Sequence, residues 1–311
     1  MIFDRNLDIN AAIQLAKLEY HPTLALATGK VFWVCNTAVG DVPAGIDSVG
    51  NGTRTNPFKT IAYALTQCVA DRGDNIVVKP GHSEAMTAAG TITMSKAGVS
   101  IIGLGTGSKR ASITYSTSTA ASVDVTASNC QIVNMRIIGV GIDALTAMIN
   151  VSGADFRLAN CLINHANATN QAVLGILTTT GASRMIVEDC EFRGTSDAGT
   201  STAIRLVGGS DIRIRRNIFK GAYTNTLGAI EVNTTAATEL IIDSNLILNL
   251  TADSGSLGMT LTTSTGLVTN NRICVNASDA TATIGNVGVV TNMILAGNYV
   301  SSNVAQVGVL I

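Results

Sequence analysis

One seven-residue motif recurs along the chain at a nearly constant interval, and this repeat limits the possible folds more than any other feature. Its second position is always aliphatic, and that position recurs at intervals of 26, 29, 27, 28, 26 and 27 residues. The seven copies are QIVNMRI (131–137), RLANCLI (157–163), IVEDCEF (186–192), RIRRNIF (213–219), IIDSNLI (241–247), LVTNNRI (267–273) and ILAGNYV (294–300). Such regular spacing is typical of repeat proteins, in which each repeat packs only against its neighbours.

A second short segment, of the form Gly-Ile-x-Val, lies between these motifs. Its examples are SVDV (122–125), MINV (148–151), GILT (175–178), AIRL (203–206), AIEV (229–232), GMTL (258–261) and GVLI (308–311). Both segments alternate with period two, which favours strands and excludes an α-solenoid. A propeller would need longer repeats with several hairpin turns each, and hairpin dipeptides do not recur with the repeat. The sequence therefore predicts an all-β fold, a single-stranded parallel β-helix of about 27 residues per coil.

Polar or sulfur-containing side chains occupy one position of the motif, three residues after the aliphatic one. The last four copies carry asparagine there, at Asn217, Asn245, Asn271 and Asn298. We predict that these amides stack as a ladder that satisfies the backbone of a tight turn. Cys161 and Cys190 hold the same register on adjacent coils, which places them within disulfide distance. Two buried thiols are the favoured interpretation.

The N-terminal part differs from the repeats and predicts a cap over the first coil. A helix is expected from about Pro57, with Ile61, Ala64, Leu65 and Cys68 on its apolar face. We divide the chain into an N-terminal docking segment (1–30), a cap of strand, helix and first coil (31–98) and the β-helix coils (99–311).

Composition excludes several classes of function. The formal net charge is −1 and only 13% of the residues are charged, so no nucleic acid partner is expected. No apolar run approaches the length of about 18 residues that marks a transmembrane helix, so no membrane partner is expected either. Six cysteines without a CxxC pair predict no metal site, and no cofactor motif is found. Charges near the N-terminus argue against a signal peptide and for synthesis in a reducing cytoplasm.

Several stretches near the start resemble a known family. They are WV (33–34), GNGT (50–53), NPFKTIAYAL (56–65), GDNIVVKPG (73–81) and SIIGLG (100–105). With the later repeats they resemble right-handed β-helix proteins of the pectate-lyase-like superfamily, over residues 31 to 311. The resemblance implies a right-handed helix. The superfamily includes polysaccharide lyases, hydrolases and epimerases as well as bacteriophage tail spikes and other virion proteins.

Few residues are candidates for chemistry. Arg205 and Glu231 point outward one coil apart, so they form either a catalytic pair or a surface ion pair. Arg193 and Lys220 are expected to stack like with like, which makes them candidates for an anion site. The histidines are interpreted as surface or turn residues.

Two main hypotheses for function follow. The first is a structural virion protein of a tailed bacteriophage: a head decoration, a fibre or a short spike module, assembled in the host cytoplasm. Its expected partners are itself, as a homotrimer, and other virion proteins reached through segment 1–30 or an open C-terminal end; a host polysaccharide is a further candidate partner. The alternative is a polysaccharide lyase or hydrolase, either free or as a tail-spike depolymerase. A carbohydrate-binding adhesin would share most features of the first hypothesis.

Overall fold

The computed structural model confirms the predicted parallel β-helix. It describes residues 29–38, 40, 43–195, 199–224, 226–252, 257–276, 287–288, 292–302 and 309–310. The chain winds about eight times through three sheets at roughly 27 residues per coil. In each coil a strand of sheet 1 leads through a turn into sheet 2, and further connections lead to sheet 3 and then to the next coil. The predicted docking segment 1–30 lies outside the described residues, except for its last two positions.

Sheet 1 contains the first half of each seven-residue motif. Its strands in the described ranges are Val31–Val34, Asn75–Val78, Ser100–Gly103, Gln131–Val133, Arg157–Ala159, Ile186–Glu188, Arg213–Arg215, Leu240–Asp243, Thr265–Thr269 and Asn292–Ala296. Neighbouring strands are parallel and in register, so that Ile132, Leu158 and Val187 stack in one buried column. Full burial of one such side chain contributes about 1.5–3 kcal/mol.

Sheet 2 contains the second half of the motif. Its strands in the described ranges are Ser83–Met86, Ser112–Tyr115, Arg136–Ile138, Leu162–Asn164, Glu191–Arg193, Gly199–Thr200, Ile218–Tyr223, Leu246–Asn249, Arg272–Val275, Tyr299–Ser302 and Val309–Leu310. Phe192 and Phe219 stack inside the helix with ring centroids 4.8 Å apart. The aliphatic second position and the apolar last position of the motif therefore contribute to a continuous core.

Sheet 3 contains the Gly-Ile-x-Val segments. Its strands in the described ranges are Ile92–Met94, Val123–Val125, Leu145–Val151, Ala172–Thr178, Thr202–Leu206, Ile230–Val232, Met259–Leu261 and Val287–Gly288. The assignment of 308–311 to this set was wrong. Val309–Leu310 instead folds back and pairs antiparallel with Tyr299–Val300 in sheet 2.

That antiparallel pair bears on the expected open C-terminal end. The last coil was predicted to expose unpaired backbone groups, which would favour docking of another protein. In sheet 2 the returning strand pairs with Tyr299 and Val300. A docking role for this end stays a prediction.

The turn between sheets 1 and 2 has a fixed form in the last seven coils. It is two residues long, and its first residue has a positive φ in every coil: Asn134, Asn160, Asp189, Arg216, Ser244, Asn270 and Gly297. Asn, Asp and Gly tolerate this left-handed conformation best, which explains their frequency here. The N–H of Asn134 donates to the carbonyl of Ala159 on the following coil at 3.0 Å, and later coils repeat the bond.

The second turn residue carries the asparagine ladder. The backbone N–H groups of Asn217, Asn245 and Asn271 donate to the side-chain oxygen of the next asparagine at 2.9–3.0 Å. The side-chain Nδ2 of Asn217 reaches Asn245 Oδ1 at 3.1 Å and the carbonyl of Val187 at 2.9 Å. All four ladder asparagines, including Asn298, are buried. Their polar groups are thus satisfied inside an apolar core.

Helix α1 (Ile61–Gln67) packs against the first strands of sheets 1 and 3. It begins later than the expected Pro57, because Thr60 is the N-cap and accepts a hydrogen bond from the N–H of Tyr63 at 3.1 Å. The buried carboxylate of Glu84 accepts from the N–H groups of Ile61 and Ala62 at 2.6 and 3.2 Å. Across the described ranges, no helix is long and apolar enough to cross a bilayer.

Candidate ligand-binding groove

The turn between sheets 1 and 2 is unusually long in one coil near the N-terminus. Eight residues, 104–111, separate the strands Ser100–Gly103 and Ser112–Tyr115, whereas two residues suffice in each of the seven later coils. The extra residues include a short 3-10 helix, Gly107–Lys109, and stand out from the coil surface. We call residues 104–111 the wall.

Backbone and side-chain hydrogen bonds hold the wall in place. The N–H of Leu104 donates to the carbonyl of Val78, and the N–H of Gly81 donates to the carbonyl of Lys109, both at 2.8 Å. From the following coil, Asn134 Nδ2 donates to the carbonyl of Gly103 at 2.8 Å. Gly105 has a φ of +88°, and an added Cβ would lie 2.6 Å from the carbonyl oxygen of Lys109. The wall therefore has a defined shape that depends on a glycine.

A groove of about 1020 Å³ lies between the wall and the outer surface of the next three coils. Its floor is formed by the short turns and the adjoining strands of sheet 2. The lining residues on which its chemistry depends are Arg110, Arg136, Asn164, Asp189, Glu191 and Arg193. This volume lies at the upper end of the range of ligand pockets.

Three polar atoms in the groove are buried without a hydrogen-bond partner among the described residues: Arg110 Nε, Arg136 Nε and Asn164 Oδ1. The other end of the Arg110 guanidinium reaches across to the carbonyl of Asn160, with Nη1 at 3.2 Å. An unpaired buried donor or acceptor costs about 1–3 kcal/mol, so native proteins rarely leave one without a reason. Their concentration in one groove marks this surface as the candidate site.

The two carboxylates of the groove are each held by an arginine. Asp189 forms a bidentate ion pair with Arg216 at 2.8 Å for both bonds. Glu191 Oε2 accepts from Arg193 Nη2 at 2.9 Å, and this ion pair raises the pKa of Arg193. Both carboxylates remain partly exposed, and each has acceptor capacity beyond the bonds to its arginine.

A cluster of arginines surrounds Glu188 just beside the groove. The Glu188 side chain is buried and accepts from Arg157, Arg215 and Arg216 at 2.6–2.8 Å. Burial alone would raise the pKa of Glu188, but the hydrogen bonds from Arg157 and Arg215 outweigh it and hold the pKa below its usual range. Arg215 and Arg216 of the basic sequence RIRR therefore pair across coils with Glu188 and Asp189, while Arg213 pairs with Asp211 of its own coil.

The structure places Arg205 and Glu231 together on the outer face of sheet 3. They are register partners on adjacent strands, and Arg205 Nε donates to Glu231 Oε2 at 2.6 Å. Glu231 is 4% exposed. A cleft of about 250 Å³ lies beside it, lined largely by threonines. The pair forms a closed ion pair whose carboxylate is buried, and its role as a catalytic or a structural pair stays a prediction.

Arg193 and Lys220 are register partners on sheet 2, as the stacking argument required. Arg193 lines the groove, but Glu191 occupies its guanidinium. Lys220 lies one coil further from the wall and is exposed. The cations that line the groove without a carboxylate partner in the described part of the chain are therefore Arg110 and Arg136. The sequence analysis did not name these two residues as candidates.

The two described histidines lie in connections between strands, as the turn interpretation has it, but both are buried and neither is a surface residue. His165 is fully buried, with Nδ1 2.8 Å from Thr200 Oγ1 and Nε2 3.2 Å from the hydroxyl of Tyr223. Burial lowers the pKa of His165 to about 3, so the imidazole is neutral. His82 is also buried and lies 3.1 Å from Glu84, the carboxylate that caps helix α1. His21 lies outside the described residues.

Cys161 and Cys190 are free thiols in adjacent positions of the ladder column. The N–H of Cys161 donates to Cys190 Sγ at 3.4 Å, and the N–H of Cys190 donates to Asn217 Oδ1 at 2.9 Å. Burial raises the pKa of Cys190. Sulfur thus continues the ladder toward the N-terminus. Within the described ranges, no group of three potential metal-binding side chains is present.

Comparison with known proteins places the chain by its fold. No family model and no curated protein matches the sequence. Pectate lyase Pel9A superimposes with a TM-score of 0.53 and 12% identity, covering 89% of this chain and 77% of that one. A GH136 lacto-N-biosidase from Eubacterium ramulus superimposes with a TM-score of 0.54 and 15% identity, covering 94% of this chain and 60% of that one. The Dettilon tailspike protein gives a TM-score of 0.39 at 10% identity, covering 94% and 74%.

At sequence identities this low, the structural similarity shows a shared fold and nothing about function. The chain shares the right-handed parallel β-helix with Pel9A and the lacto-N-biosidase, and it spans 60% of the length of the latter.

Proposed function

We propose that this chain is a structural β-helix module of a tailed-bacteriophage particle, and that its groove contacts a host-surface glycan without cleaving it. The observation that carries the second part is the pairing of the carboxylates. Asp189 and Glu191 are each held by an arginine, and Glu188 is held by three. A hydrolase needs one carboxyl that is protonated near neutral pH, and paired carboxylates resist protonation.

Paired carboxylates remain suitable for binding. Ionised oxygens accept hydrogen bonds from sugar hydroxyls, and the arginines fix their positions. Asn164 also lines the groove. The virion part of the proposal is supported by the resemblance of residues 31–311 to a superfamily that includes tail spikes and other virion proteins. A homotrimer and a docking role for segment 1–30 belong to the same proposal.

A polysaccharide lyase is the second candidate, and one observation favours it. Arg110 and Arg136 present guanidinium groups to the groove, with the Nε of each unpaired. β-Elimination from a uronate needs cations that neutralise the carboxylate and a base that removes the neighbouring proton. The groove contains suitable cations.

Two measurements test the proposal. Purified particles are probed by immunogold electron microscopy and mass spectrometry, and the chain is expected in stoichiometric amounts. The purified protein is then incubated with host capsular and O-antigen polysaccharide, whose chain length is followed by size-exclusion chromatography. Unchanged chain length is expected with the wild type and with Arg205→Ala. Shortening of the polysaccharide, abolished by Arg136→Gln or Glu231→Ala, would establish an enzyme instead.

A further inference from the structure

We propose that the groove recognises an oxyanion carried on a glycan, through Arg110 of the wall and Arg136 of the floor. This inference rests on the proposed function, because it names the class of ligand for the same groove. It moves the expected ligand surface from the outer face of sheet 3, where Arg205 and Glu231 neutralise each other, to the turn between sheets 1 and 2.

The first argument is the charge of the groove. Its carboxylates are neutralised in pairs, Asp189 by Arg216 and Glu191 by Arg193. Within the described ranges, no carboxylate lies within 4.0 Å of Arg110 or Arg136. Two positive charges are therefore left at the end of the groove next to the wall. The chain as a whole has a net charge of −1, so this positive region is local.

The second argument is hydrogen bonding. The Nε–H groups of Arg110 and Arg136 are buried and have no acceptor in the described part of the chain. A guanidinium donates in a planar fork that matches the two oxygens of a carboxylate or a phosphate. Both guanidinium groups line the groove without a carboxylate partner among the described residues, so an oxyanion from outside the chain would supply one once the side chains turn to expose their buried Nε–H groups.

The third argument identifies a glycan as the carrier. Arg136, Asn164 and Glu191 lie on three successive coils, so the cationic end and the acceptors are separated by about 5–10 Å. This spacing suits sugar hydroxyls beside a charged substituent. A nucleic acid would bring phosphates against Asp189 and Glu191, and the groove lining contains no aromatic side chain on which bases could stack.

Two kinds of glycan carry such an oxyanion: uronic acid polymers, with a carboxylate, and phosphodiester-linked polymers. Isothermal titration calorimetry distinguishes them with oligogalacturonate and oligoguluronate as carboxylate probes, oligo(glycerol phosphate) as the phosphodiester probe, and methyl-esterified oligogalacturonate as the neutral control. We expect at least one anionic probe to bind. Loss of a charge-assisted bond weakens binding about tenfold or more, so the neutral ester and the Arg136→Gln variant should each show that decrease.

Control variants distinguish a direct loss of ligand binding in Arg136→Gln from a general loss of structure. Arg213→Gln removes an exposed arginine that pairs with Asp211 outside the groove, and its affinity should stay within about twofold of the wild type. Arg136→Lys keeps the charge but loses the planar fork, so it should bind with intermediate affinity. Circular dichroism verifies that all variants remain folded.

Each outcome decides the inference. Binding of no anionic probe at millimolar concentration, equal binding of the acidic and neutral forms, or an unchanged affinity in both Arg136→Gln and Arg110→Gln would overturn it. Probe binding accompanied by cleavage would uphold the inference and reject the non-cleaving function. Detection of the chain in particles without any probe binding would reject the inference and leave the virion proposal intact.

Discussion

The turn between sheets 1 and 2 is eight residues long in the coil that forms the wall and two residues long in the seven later coils, and these two regions differ in how their polar groups are hydrogen-bonded. In the later coils the turn has two residues, and Asn217, Asn245 and Asn271 pass hydrogen bonds from coil to coil. The wall is itself a turn of eight residues. There the Nε–H donors of Arg110 and of the neighbouring Arg136 have no acceptor among the described residues. We call the region of the asparagine ladder the closed region, because its polar groups are hydrogen-bonded within the chain. We call the region of the wall and the groove the open region, because some of its polar groups are not.

This difference shows where such a solenoid can acquire a binding site. A strictly repeated coil satisfies its polar groups with the equivalent groups of its neighbours, so nothing is left for a ligand. A lengthened turn breaks the match between adjacent coils and creates both a wall and unmatched side chains. The two regions predict opposite responses to mutation, stability effects in the closed region and affinity effects in the open one.

The largest effect is expected in the closed region, from Asn245→Ala. The change removes the oxygen that accepts from both the N–H and the Nδ2 of Asn217, and it leaves these buried donors unpaired. The free energy of unfolding should fall by about 2–4 kcal/mol, measured by denaturant titration. The exposed Asn292→Ala serves as the control and should cost less than about 0.5 kcal/mol. Equal effects of the two changes would show that the ladder contributes little.

A pH effect is expected from the buried His165. Its pKa of about 3 in the fold is below the value of about 6.5 in an unfolded chain, so folding favours the neutral imidazole. The stability that this group contributes is present above pH 6.5 and is lost progressively as the pH falls toward 3. The slope should approach about 1.4 kcal/mol per pH unit.

The variant His165→Gln isolates this contribution. Between pH 6.5 and 4.5 its unfolding free energy should change less with pH than that of the wild type. Carboxylates with lowered pKa values, such as Asp155 and Glu188, titrate below this window and affect both proteins equally. Identical slopes would mean that the imidazole accepts a proton without unfolding.

The smallest effect on stability is expected at the boundary between the two regions, from Asn134→Gly. Glycine adopts the positive φ of 54° freely, so only the amide bonds to the wall at Gly103 and Gly105 are lost. Unfolding should become easier by about 0.5–1 kcal/mol. The loosened wall should weaken binding of an anionic glycan probe about three- to tenfold.

Asn270→Gly is the matched control for this change. Asn270 holds the same turn position with a φ of 56° and donates to Asp243 Oδ1 at 3.0 Å, remote from the wall. It should lose similar stability and keep full affinity. A parallel loss of affinity in both variants would attribute the effect of Asn134→Gly to general destabilisation.

The closed region could be predicted well from the sequence. Structurally repeated coils have a repeated sequence pattern, so the spacing of Ile132, Leu158 and Val187 predicted which residues stack. The asparagine column was predicted from the same repeat, because its members hold one motif position. Failures occurred where the period is absent. Residues 308–311 matched the strand pattern by composition, but Val309–Leu310 pairs antiparallel in sheet 2, and the burial of His165 depends on connections of variable length.

The groove could not be predicted because its key residues do not all belong to the repeat. Arg110 belongs to a non-repeated turn, while Arg136 belongs to a motif, and no constant interval relates them. One signal was present: the apolar stretches around Ile101 and Ile113 are separated by six residues more than the equivalent stretches of later coils. That excess predicts an outward loop, but the contact of Arg110 with the carbonyl of Asn160 emerges only in three dimensions.

The direction of the ladder has a consequence for biosynthesis. Each coil donates its backbone N–H to a side chain of the following coil: Cys190 to Asn217, Asn217 to Asn245 and Asn245 to Asn271. A polypeptide leaves the ribosome N-terminus first, so every newly emerged coil brings the acceptor that its predecessor lacks. At any moment of translation only the youngest coil has an unmet donor in this column. The stack can therefore be completed one coil at a time while the rest of the chain is still being made.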